Sequence, residues 1–123
     1  MMDLRNIARR AIEKVQTEIR WKPGKDIDHL KHRIARGHLP RDATMKMYEA
    51  IITSVVNDPS ADVYVLDWYG TPYPTVVAEV HENPWLVMTS EAGIMETAFL
   101  VDAAGYVARR NFVRLGTMKE LLP

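Results

Sequence analysis

The chain has 123 residues, 47% hydrophobic and 26% charged, with 16 basic and 16 acidic side chains and a formal net charge of zero. That balance suits one globular domain able to bury a core without covalent staples. Cysteine is absent, which excludes disulfides, thiolate metal sites and cysteine nucleophiles.

The first predicted element is an amphipathic helix. Leu4, Ile7, Ala8, Ala11, Ile12, Val15 and Ile19 follow i, i+3, i+4 spacing, with Arg5, Arg9, Arg10, Glu13 and Lys14 on the other side. WKPG at 21–24 stops it. A second helix is expected from Asp26 as N-cap, with Ile27, Leu30 and Ile34 as its apolar stripe. Gly37 is its expected C-terminal cap, and Pro40 cannot continue it. A third helix starts near Asp42 or Thr44, buries Tyr48, Ile51, Ile52 and Val55, and ends at NDPS, 57–60.

Four β-rich runs follow: DVYVLDWY at 62–69, PTVVAEV at 74–80, WLVMTS at 85–90 and IMETAFLV at 94–101. GTPYP, ENP and EAG separate them. Such short connections allow only sequential antiparallel pairing, because parallel crossovers need a dozen residues or more. The tail, 102–123, carries two short helical patterns, around AAGYVARR and GTMKELL. The expected architecture is α+β in a single domain spanning 1–123. Helices fill about 1–58, a four-stranded antiparallel sheet fills about 62–101, and the helices pack on one face of the sheet.

Charge is unevenly spread. Residues 1–46 hold 12 Lys/Arg against 6 acids, residues 47–101 hold 8 acids and no Lys or Arg, and residues 102–123 hold 4 against 2. A basic sheet surface is therefore impossible. A basic patch could still form if Arg5, Arg9, Arg33, Arg36, Arg109, Arg110 and Arg114 gathered on one side.

The segment DHLKHRIARGHLP, 28–40, holds three of the four histidines. At about 100° per residue, His29, His32, Arg33 and Arg36 share a helix face opposite Ile27, Leu30 and Ile34. A surface helix shows the same pattern with solvated side chains. The sharper reading is phosphodiester chemistry, in which histidine takes or gives a proton near neutral pH and arginine grips phosphate oxygens. A metal site is disfavoured: there is no cysteine and no HExxH, and guanidiniums stand beside His29 and His32. His81, beside Glu82 and Asn83, reads as a turn residue. Trp21, Trp68 and Trp85 read as core, sheet or cleft material.

The order HLKHRIARGHLP, then NDP, then hydrophobic strands and GIMETAF resembles the barnase–EndoU–colicin–RelE-like superfamily over about residues 26–101. The likeness is to its small toxin-like and phage-associated members. That resemblance implies metal-independent RNA cleavage, with His29 and Arg33 as one element, Arg36-Gly37-His38 as a second, and the Thr97 hydroxyl on phosphate. His29, His32 and His38 are then the acid–base candidates, with Arg33, Arg36 and Thr97 holding phosphate. No cofactor or metal is implied. The departure is charge: RelE-like toxins are strongly basic, whereas this chain is neutral. A non-catalytic interaction module on the same scaffold is the alternative.

The expected partners are RNA or a cognate inhibitor protein. A weak homodimer through the Leu4–Ile19 helix is also expected. No membrane partner is expected, because no apolar run nears the roughly 20 residues of a spanning helix. The charged start, MMDLRNIARR, lacks a leader's apolar centre, so a cytoplasmic location is expected.

Overall fold

The computed structural model describes residues 3–101, 106–107 and 110–123. Helix α1 spans Leu4–Thr17, and the Asp3 carboxylate caps it by accepting from the Arg5 and Asn6 amides. Helix α2 spans Lys25–Ala35 and α3 spans Met45–Val56, the latter capped by the Thr44 hydroxyl. Gly24, in the left-handed region, is the N-cap of α2, so Asp26 lies inside the first turn and is not the expected cap. There its carboxylate meets the positive helix end.

Five strands follow: β1 (Asp62–Trp68), β2 (Thr71–Val80), β3 (Asn83–Thr89), β4 (Met95–Leu100) and β5 (Phe112–Thr117). They form one antiparallel sheet in the order β4-β3-β2-β1-β5. The helices-then-sheet order and the sequential pairing of the first four strands agree with the sequence reading. The expected count of four strands is corrected to five. Strand β5 was hidden because Arg114 and Gly116 break the apolar alternation of FVRLGT, and its stability comes from pairing with β1, some fifty residues earlier.

The break expected at GTPYP is also corrected. The β1–β2 turn is only Tyr69–Gly70, and Pro72 and Pro74 lie within β2. These prolines are tolerated because β3 pairs with β2 only from Thr75 onward, so their other side needs no amide. Of the two expected tail helices, GTMKELL supplies the short α4 (Met118–Leu121), with the Thr117 amide and hydroxyl both donating to Glu120. The one around residues 103–110 lies largely outside the described residues.

One sheet face carries α1 and α3, as expected, whereas α2 departs from the expected packing on that face. Ala8, Ala11, Ile12 and Val15 of α1 and Tyr48, Ile52, Val55 and Val56 of α3 are buried, most of them against Val63, Val65, Val76 and Val87. Helix α1 therefore lies across the sheet, and its apolar stripe is spent within the chain. Most of the stripe is turned inward, which leaves little apolar area there for the expected dimer through Leu4–Ile19.

The other face buries Leu66, Val77, Leu86 and Met88. Strands β4 and β5 sit at opposite edges, so the chain crosses between them, and Tyr106 packs on both Phe99 of β4 and Phe112 of β5. Among the described residues no helix is long and apolar enough to cross a membrane.

Candidate functional site

The histidine segment is positioned by the end of α2. Gly37 adopts a left-handed conformation with φ 76°. The Gly37 amide bonds the Ile34 carbonyl at 3.0 Å, and the His38 amide bonds the Arg33 carbonyl at 2.8 Å. This paired pattern is the Schellman termination, which favours glycine at that position. It turns the chain back so that His38 faces Arg33.

Helix α2 does not lie on a sheet face. It runs beside the edge strand β4, where alternate backbone groups point outward and need partners. Three residues outside the sheet supply them. The Met95 amide donates to the Arg20 carbonyl at 2.8 Å, the Tyr48 hydroxyl donates to the Ala98 carbonyl at 2.6 Å, and the Leu100 amide donates to His38 Nδ1 at 3.2 Å. Burial pushes the Tyr48 phenol up to about 12, so it stays a donor. The His38 bond fixes a tautomer: Nδ1 accepts, so in the neutral ring the proton is on Nε2.

The six residues singled out from sequence separate into two groups. Arg33, His38, His29 and Thr97 come together along β4. Arg33 Nη1 lies 3.5 Å from His38 Nδ1, and Thr97 Oγ1 lies 3.5 Å from His29 Nδ1. His32 and Arg36 are exposed on the outer side of α2. Leu30 and Ile34 of the expected apolar stripe pack on the core, and the face assignment is corrected at Ile27 and Arg33. Arg33 is the buried residue of α2, only 9% exposed, whereas Ile27 is 53% exposed.

Arg33 is unusual. Its guanidinium sits 5.5 Å from the centre of the Phe99 ring, and its Nε is buried with no hydrogen-bond acceptor among the described residues. Among the described residues it has no carboxylate partner; the ion pairs there are Arg9–Glu13, Lys22–Glu96 and Arg114–Asp62. The positive field has consequences nearby. His38 is held below its usual pKa by burial first, then by Arg33 and Arg36. His29 is lowered by burial, then by Arg33 and His32.

The expected single basic face is not formed by the described arginines. Arg5 donates to the Leu115 carbonyl and Arg114 to Asp62, both at the β5 edge, while Arg33 lies on α2 beside β4 and Arg36 caps the end of that helix. Arg110 stacks over Tyr106 at 4.6 Å, and Arg109 lies outside the described residues. Among the described residues no three His, Asp or Glu side chains cluster to hold a metal ion.

An aromatic row links the two ends of α2. His29 stacks against Trp21 at 5.5 Å, Trp21 lies 5.8 Å from Tyr48, and Trp85 lies 6.4 Å from both Tyr48 and His38. Trp68 is elsewhere, half-exposed beside Tyr69 at the β1–β2 turn. Beyond Trp85 opens a cleft of about 400 Å³ between α3, the segment 38–40 and the β2–β3 turn. Its wall is largely apolar, with Trp85, Ile51, Met47 and Leu39, and His38 and His81 also line it. His81 does occupy a turn: with Glu82 it forms the two-residue β2–β3 connection, φ 52° and 67°.

Sequence reasoning missed this cleft. Met47 and Ser54 lie on the exposed side of α3 and Asn83 follows a turn. No spacing rule joins them to His38. The nearest signal was the tryptophan content, which marked Trp85 without a location.

Chemically, the arrangement offers a fixed N–H donor backed by positive charge beside an apolar hollow. No known protein family, curated protein or solved structure matches the chain.

Proposed function

We propose that this chain is a non-catalytic binding module whose ligand site is the cleft beside His38. The observation that carries the reading is the built polar end of that cleft: His38 is held in one tautomer by the Leu100 amide, next to an apolar hollow of about 400 Å³. That size falls within the range of small-molecule sites. The cysteine-free composition fits a cytoplasmic setting.

The ribonuclease reading ranks second. Its support is the approach of Arg33 to His38 and of Thr97 to His29. RNA cleavage needs one group to take the 2′-hydroxyl proton and another to protonate the leaving oxygen. His29 and His38 are both shifted toward the neutral form, which suits a base and leaves the acid unfilled. His38 Nδ1 is already engaged, and the separation of basic residues to two sheet edges weakens phosphate neutralisation.

Two measurements test the proposal. Mixed RNA incubated in EDTA stays intact, and cleavage exceeding that of a His29→Ala/His38→Ala double variant would restore the ribonuclease. A titration with indole moves the methyl signals of Met47 and Ile51, and Ala50→Phe, which fills the cleft from an exposed helix position, abolishes the shift.

A further inference from the structure

We propose that the cleft takes an amphipathic organic anion: a single carboxylate on a compact apolar body, with the carboxylate on His38. This rests on the binding-module reading and goes beyond it by naming the ligand class.

Three features point to a carboxylate. First, the donor is fixed. Because Nδ1 accepts from the Leu100 amide, Nε2–H is the ring nitrogen left for a ligand, and it presents a proton and never a lone pair while the ring is neutral. Second, positive charge stands behind it. Arg33 Nη1 is 3.5 Å from Nδ1, the guanidinium has no carboxylate partner among the described residues, and Arg36 adds to the same field. A donor polarised in this way prefers an ionised acceptor, which forms shorter and stronger hydrogen bonds than a neutral one. Third, among the described residues no Asp or Glu lines the cleft, although residues 47–101, which build most of its wall, carry eight acids and no Lys or Arg. No described carboxylate in the wall repels an anion.

The body of the ligand follows from the remaining wall. Trp85, Ile51, Met47, Leu39, Val80 and Leu100 form an apolar surface that gains by removing a hydrocarbon or aromatic group from water. A polyanion is a poor fit, since the positive charge is local and the surrounding wall apolar.

The test compares 3-phenylpropionate with its amide, 3-phenylpropanamide, which have nearly the same shape and differ in charge. Each is titrated into the full chain and followed by two-dimensional NMR. The acid is expected to bind about tenfold more tightly, the difference between a charge-assisted and a neutral hydrogen bond. His38→Asn places an amide oxygen where Nδ1 accepts from Leu100 but lacks Nε2–H, so it should bring the acid down to the affinity of the amide. Arg33→Met keeps His38 and removes the charge behind it, and should narrow the gap as well, which secures the test if the first variant folds poorly. Equal binding of acid and amide to the native chain overturns the anion assignment and leaves the binding module standing. Preference for the acid that survives both variants overturns the placement on His38. Failure of both compounds to bind overturns the cleft as a site altogether.

Discussion

His38 accepts a hydrogen bond on Nδ1 from the backbone amide of Leu100, 62 residues further along the chain, at 3.2 Å. An imidazole from a helix terminus thereby does for β4 what a sixth strand would do. Of the three histidines that residue type marked for acid–base work, His38 seals a sheet edge.

Removing that acceptor has a defined effect. His38→Ala leaves the part-buried Leu100 amide unpaired and should lower stability by about 1–3 kcal/mol. His38→Asn keeps an acceptor and should recover most of the loss. Urea unfolding of the three proteins checks this, and equal midpoints would refute a structural role for the ring.

Acid should destabilise the fold through the same ring. His29 and His38 both titrate below the ordinary histidine value, chiefly through burial. The unfolded chain therefore binds protons at a higher pH than the native one. Stability is fully present above about pH 6.5, the unfolded value, and falls as pH drops from there toward the lowered native values. Thermal unfolding at pH 8, 6.5 and 5.5 should show the midpoint falling over the lower interval, and less so in His38→Asn. A flat profile in the native chain would contradict the burial of the two rings.

Arg33 is a buried charge without a carboxylate partner among the described residues. Arg33→Met, which retains length and packing on Phe99, should leave stability unchanged or raise it by about 1–2 kcal/mol. Arg33→Ala should lower it, because the contact with Phe99 and the covering of β4 are lost together. A loss of more than about 1 kcal/mol in the Met variant, measured by urea unfolding, would show that the guanidinium has a strong partner after all.

The β2–β3 turn is stored strain. His81 and Glu82 both take left-handed backbone angles, φ 52° and 67°, where residues with a Cβ are disfavoured. Two-residue turns of this kind prefer Asn-Gly. The double substitution His81→Asn/Glu82→Gly should stabilise the chain by about 1–2 kcal/mol. A thermal midpoint that is unchanged or lower would show that the two native side chains contribute contacts worth as much as the strain.

The apolar stripe of α1 is buried inside one chain, so light scattering should give a mass near the 14.1 kDa of a monomer at high concentration. A dimer would require another surface. The exposed Trp68 and Tyr69 at the β1–β2 turn would then be the first place to substitute.

Much of the architecture is written in short-range pattern. The 3.6-residue rhythm of Leu4 to Val15, the Gly37 stop and the apolar runs that became β1 to β4 all involve neighbours a few positions apart. A local backbone conformation links such neighbours directly. The candidate site was legible only as a set of residue types. Spacing grouped His29 and Arg33 on one side of α2 and Ile27, Leu30 and Ile34 on the other; Leu30 and Ile34 do pack on the core, but spacing did not foresee that Arg33 is buried and Ile27 exposed. The reason is that α2 meets a strand edge and not a sheet face. An edge presents unpaired amides and carbonyls, so it selects His38 and Tyr48 as partners and draws Arg33 inward, while Ile27 is left in water. Which strand becomes the edge depends on pairing across the whole sheet, including β5 with β1. That pairing joins residues some fifty positions apart, and no periodicity within either segment encodes it.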